Sequence, residues 1–252
     1  MKPPTSAESA TRSAPAWITT VLVGVALPIL TLLVLAAASS PVALAGGPIL
    51  TLGLMGVGII AAATAGKFWI GVVLALLNAA FLLVLAFALG MPALQHPFEI
   101  ALAMVIASFS FAARGALFSK TLADRGWLMA LFVVAGEGSV LLIAATLPGV
   151  LPTWFLALLP AQWASSAIQM AVTGTSVFET LPALIALAGT AATTLLAARL
   201  WLRIWVYLLM FAAWLGLSAL VYFWPDPATS ASNPVLVTSA ASQVAAVVIA
   251  IH

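Results

Sequence analysis

The strongest chemical signal in this chain is an acidic residue in the middle of an apolar run. Glu137 stands between Gly136 and Gly138, midway along the run 127–147. At about 1.5 Å per helical residue it lies roughly 15 Å from Trp127, near the midplane of a bilayer if the run crosses one. Ionisable groups at that depth are costly and mark functional sites by default. Asn78 sits midway along another run, 69–90, at a similar depth. The pair suggests a proton or cation site, or a polar anchor for a substrate. The competing reading is structural: a protonated Glu137 hydrogen-bonded to Asn78, to a serine or to a backbone carbonyl.

Other polar groups offer less. His96 and Glu99 are three residues apart around Pro97, a spacing that allows a shared helix face and a proton relay or metal. Pro at a first helical position and Glu in the first turn are also what an ordinary helix start requires. In 155–173, Gln162, Ser165, Ser166, Gln169 and Thr173 form one polar stripe at helical spacing. A polar cluster of the sort a lipid-modifying enzyme needs is available only from His96, Glu99 and the stripe that holds Gln162 and Gln169. Arg114, Lys120, Asp124 and Arg125 make the densest charged stretch. It reads as an orienting loop with Asp124 as a helix cap, or as a docking loop for a cytoplasmic partner or acidic lipid.

The elements that hold these groups follow from composition. The chain has 252 residues, 65% hydrophobic and 6% charged, with mean hydropathy +1.25. Soluble domains carry about 25% charged residues, so this surface must face lipid. Absence of cysteine removes disulfides, thiolate metal sites and iron–sulfur clusters. Two histidines are too few for paired haem ligation, and no cofactor is expected. The basic residues sit at the ends of apolar runs rather than in a phosphate-binding patch, so no nucleic-acid partner is expected.

Apolar runs at 17–38, 46–65, 69–90, 97–117, 127–147, 181–198 and 204–224 predict an all-α, polytopic helical bundle with about seven transmembrane helices. The runs are continuous, which argues against a barrel. Lys2 and Arg12, then Lys67, then Arg114 to Arg125, fall in every second connection and place the N-terminus in the cytoplasm. If 155–173 spanned, Arg199 and Arg203 would fall outside. With Pro160 and its polar stripe, 155–173 therefore reads as an amphipathic helix on the outer surface, or a re-entrant one; a spanning helix whose stripe lines a cavity is the alternative. Residues 1–16 read as disordered and cytoplasmic. Residues 225–252 read as a linker and a tail, surface helix or eighth span. Val42-Ala43-Leu44-Ala45 is a passable signal-peptide cleavage site, but the long first run favours a retained helix.

No mid-helix lysine for retinal, G-x-S-G serine-protease motif, paired Asp-rich motif or P-loop occurs. The expectation is a multi-pass protein of a bacterial inner membrane, most simply a small permease or the membrane subunit of a transport system. A non-catalytic scaffold or accessory subunit of a larger complex is the second reading.

Overall fold

A computed structural model describes residues 6–38, 42–92, 94, 96–147, 149–174, 177–200 and 204–224. Every described element is a helix. In order they are α1 (Ser6–Val21), a π-helical turn (Leu22–Ala26), α2 (Leu27–Ala37), α3 (Val42–Ala65), α4 (Phe68–Ala88), α5 (Pro97–Leu122), a 3₁₀ turn (Ala123–Arg125), α6 (Gly126–Thr146), α7 (Thr153–Leu156), α8 (Pro160–Thr173), α9 (Val177–Arg199) and α10 (Ile204–Phe223). Six helical stretches are long and apolar enough to cross a membrane: 14–37, 45–65, 68–88, 97–146, 180–199 and 204–223.

The fourth stretch is not straight. Ala123 turns it with φ of 45°, and the chain folds back so tightly that a Cβ on Gly126 would lie 2.7 Å from the Phe118 carbonyl oxygen. Helices α5 and α6 therefore run antiparallel from a turn that holds Asp124 and Arg125. Asp124 caps nothing there; α6 starts after Arg125 with no side-chain cap. Lys67 precedes α4, Lys120 is in the last turn of α5 and Arg199 in the last turn of α9. Arg199 shares a cleft with Phe68 and Trp69 at the start of α4. The bundle thus carries these basic residues at one end.

Helix α3 is the axis. From Ile49 to Ala63 it is buried on every side, which an all-apolar helix tolerates only when ringed by protein. Small residues let the ring close. Gly58 and Ala62 face Gly71 and Ala75 of α4 and Phe111 and Ala112 of α5. Where the first helix crosses α3, Gly24 meets Gly56, and a Cβ on Gly56 would fall 2.7 Å from the Gly24 Cα. Close backbone approach of this kind is what drives helices together in lipid. Gly56→Leu should therefore cost about 1–3 kcal/mol through overpacking, read as a lower midpoint of thermal unfolding in detergent.

Helix α1 begins at Ser6, within the segment 1–16. One expectation needs correction. The segment 155–173 is not an exposed surface helix. It divides into short α7 and 14-residue α8, and α8 is packed inside the bundle with Trp163, Ala164, Ala167 and Ile168 at 1% exposure or less. Its alanine-rich face and Gly47 of α3 allow this approach; a Cβ on Gly47 would sit 2.7 Å from the Gln169 Cβ. The terminal run 235–251 lies outside the described residues.

Candidate functional site

Glu137 meets Arg114. The Arg114 Nη1 donates to Glu137 Oε1 at 2.8 Å, and both side chains are 14% exposed. The antiparallel hairpin brings them together. Side chains lean toward the N-terminus of their own helix, so Arg114 leans away from the α5–α6 turn and Glu137 leans back toward it. Arg114 is not part of an exposed loop, as the charge run suggested. It is two turns inside α5, with its guanidinium carbon 5.1 Å from the centre of the Phe111 ring.

The second carboxylate oxygen does separate work. Ala161 N–H donates to Glu137 Oε2 at 3.2 Å, and Ala161 is in the first turn of α8, directly after Pro160. One carboxylate therefore neutralises a buried arginine and caps a helix whose positive dipole end points at it.

The chain between α7 and α8 is irregular where it reaches this pair. Two indoles cover its carbonyls: Trp214 Nε1 donates to Leu158 O at 3.1 Å, and Trp163 Nε1 to Ala157 O at 2.8 Å. Trp214, in the middle of the run 204–224, closes this break. At its other end α8 returns to the start of α3, where Gly47 N–H donates to Gln169 Oε1 at 2.8 Å. The 14 residues of α8 extend only about 21 Å, short of the roughly 30 Å of a hydrocarbon core. The segment 151–174 thus enters beside the end of α6, turns at Leu158–Pro160 beside Glu137, and leaves toward the same end of the bundle.

Beneath the turn lies a cavity of about 280 Å³, lined by Arg114, Glu137, Leu158–Pro160, three threonines of α9 (Thr190, Thr193 and Thr194), and Met210, Phe211 and Trp214 of α10. Its surface is mostly apolar, with the ion pair at one side. Thr190 is anchored across to α5 by a 3.1 Å hydrogen bond with Ser110.

The remaining candidates are placed elsewhere. Asn78 does not reach Glu137; its Nδ2 donates to Gly24 O at 2.9 Å. Gly24 lies in the π-helical turn, where the i→i+5 pattern disturbs the backbone ladder, so Asn78 is a brace for that turn. Asn78→Leu should cost about 1 kcal/mol, in the range of interhelical hydrogen bonds in membranes. A lower midpoint of thermal unfolding in detergent checks it. His96 and Glu99 pair with each other, Nδ1 to Oε1 at 3.5 Å, with His96 at the N-cap position of α5 and no side-chain cap hydrogen bond there. Gln162 and Gln169 instead line a second cavity of about 390 Å³ with Ser165, Ser166 and Pro48. Neither His96 nor Glu99 is in its wall, so the four do not form one site. Among the described residues no group of three or more His, Cys, Asp or Glu is placed to hold a metal ion.

Comparison with protein-family models, with curated proteins and with solved structures finds no match to the chain. What this site can do has to be argued from its own geometry. In the sequence Glu137 stands out alone, Arg114 reads as part of a charged loop and Pro160 as an interruption of 155–173, while Thr190, Thr193 and Thr194 carry no signal that sets them apart. The signal for Arg114 was present: it and Glu137 lie at nearly mirrored distances from Asp124 and Arg125.

Proposed function

We propose that this protein is a small permease, or the membrane subunit of a transport system, in a bacterial cytoplasmic membrane. Counting α5 and α6 as separate crossings gives seven spans, with the segment 151–174 as a re-entrant element. The end that holds Lys67, Lys120, Arg125 and Arg199 is the cytoplasmic one by the bias of basic residues, which puts the N-terminus inside and the two ends of 151–174 outside.

The single observation that carries the reading is the Arg114–Glu137 pair on the wall of a cavity, capped by the break between α7 and α8. Broken backbone at membrane depth is tolerated where it is buried in protein or lines a cavity, and broken helices at mid-depth are how many transporters build substrate sites. The polar cavity at Gln162, Ser165, Ser166 and Gln169 runs along α8 from its first turn outward; the apolar cavity lies beneath that turn. The turn and the ion pair separate the two, as a closed gate would.

The test is current on solid-supported membranes carrying the reconstituted protein, during rapid exchange of small carboxylates, phosphate esters and amines. The reading expects a solute-dependent current that disappears in Arg114→Met/Glu137→Gln. Currents absent for every solute, or equal in that variant, would sink it. The scaffold reading draws on the shallow 14% exposure of both partners. It expects a fixed partner to co-purify in mild detergent, with no current.

A further inference from the structure

The ion pair leaves half of Arg114 unused. Its Nη1 is taken by Glu137, but Nε and Nη2 are buried and have no hydrogen-bond partner among the described residues. In a guanidinium these two nitrogens share one edge of the plane, the edge that receives both oxygens of a carboxylate or phosphate. Buried donors left unmade are costly, and each one in a native protein calls for an explanation.

We infer that the cavity lined by Arg114 binds an amphiphile with an oxyanion head, a carboxylate or a phosphate monoester, seated on Nε and Nη2 of Arg114. This deepens the transport reading and rests on it for the role of the cavity. Three observations support the ligand class. The walls supply apolar surface for a tail: Leu117, Val133, Leu158, Met210 and Phe211. The local charge suits an anion, because the single carboxylate of Glu137 is set against both the Arg114 cation and the N-terminus of α8, worth roughly half a positive charge. The volume of about 280 Å³ is near the lower end of small-molecule sites, roughly 300–1,000 Å³, which limits the tail to a single chain of medium length. Both nitrogens are shut off in the present arrangement, so the head reaches them when the side chains around the guanidinium move.

The experiment is equilibrium binding of radiolabelled decanoate to the purified full-length protein in nanodiscs. The expected result is a saturable component, above partition into empty nanodiscs, displaced by unlabelled decanoate or decyl phosphate but not by decanol or decyltrimethylammonium. Stronger displacement by decyl phosphate identifies a phosphate head, and weaker displacement a carboxylate. Arg114→Lys keeps the charge and loses the planar fork, and should bind about tenfold more weakly or worse. No saturable component, displacement by decanol as effective as by decyl phosphate, or undiminished binding to a folded Arg114→Lys protein would each overturn the inference. The wild-type competition series stands even if Arg114→Lys fails to fold. Binding is read without flux, so saturable binding with no current would leave this inference standing and remove the transport reading. Current without decanoate binding would do the opposite.

Discussion

Glu137→Gln should destabilise the protein by up to about 3 kcal/mol, the lower end of the range for removing one member of a buried ion pair, because both partners keep 14% exposure. The amide still accepts from Ala161 N–H, so the cap on α8 survives. What is lost is the counter-charge: Arg114 is always charged, and its buried side chain then has only the Phe111 ring for compensation. Arg114→Met alone should cost less than Glu137→Gln, because it leaves the carboxylate with the helix N-terminus of α8 to hold it. The double variant Arg114→Met/Glu137→Gln removes both charges, keeps the cap and fills the guanidinium space with an apolar chain. Replacing a buried ion pair by well-packed apolar groups is often neutral or stabilising, so it should unfold at or above the wild-type midpoint. Denaturation in mild detergent across the four proteins gives the cycle. If Glu137→Gln is as stable as wild type, the pair is not the charge balance described here. A stable double variant with no transport would separate function from folding in one protein.

Trp163→Ala is the second large effect. Trp163 is buried at 1% exposure and donates to Ala157 O across the break. Truncation leaves a cavity and an unsatisfied carbonyl, and aromatic-to-alanine changes in cores cost about 3–5 kcal/mol. The loss should be local first, since Trp163 pins the turn against α8 while α3 and α5 keep their own contacts. A cysteine at Leu159 should then react with maleimide much faster in the Trp163→Ala background than alone. Equal labelling rates would mean that the turn is held by something other than this indole. Trp163→Phe, which keeps the ring and loses only the donor, should fall between the two.

The sequence made the hairpins legible because each rests on a local rule. Apolar runs of spanning length are separated by short connections, and Lys67, Lys120, Arg125 and Arg199 alternate with uncharged turns. Glu137 was legible for the same reason: a carboxylate in such a run is costly enough to be noticed alone. What it pairs with was not, because the partner depends on which helices face each other. Asn78 lies at a similar depth by sequence, whereas Arg114 reads as part of a charged loop; only the tight reversal at Ala123–Gly126 brings Arg114 to Glu137. The segment 155–173 shows a different limit. Its polar stripe was identified correctly as a face, with Gln162, Ser165, Ser166 and Gln169 in line. Periodicity says which residues share a face but not what that face meets. Here it meets a cavity and the Gly47 N–H, because Gly47 and an alanine-rich opposite face let α8 sink between α3, α5 and α9.

The central claim is that 151–174 enters and leaves the membrane on one side, bringing the first turn of α8 to Glu137. The chain has no cysteine, so single-cysteine labelling with a membrane-impermeant maleimide has no background. Val150 is 63% exposed beside the end of α6, Thr173 is exposed at the end of α8, and Lys120 marks the opposite end of the bundle. Val150→Cys and Thr173→Cys should be labelled from the same face in intact cells, and Lys120→Cys only after permeabilisation. Labelling of Val150→Cys from one face and Thr173→Cys from the other would make 151–174 a crossing and contradict the account.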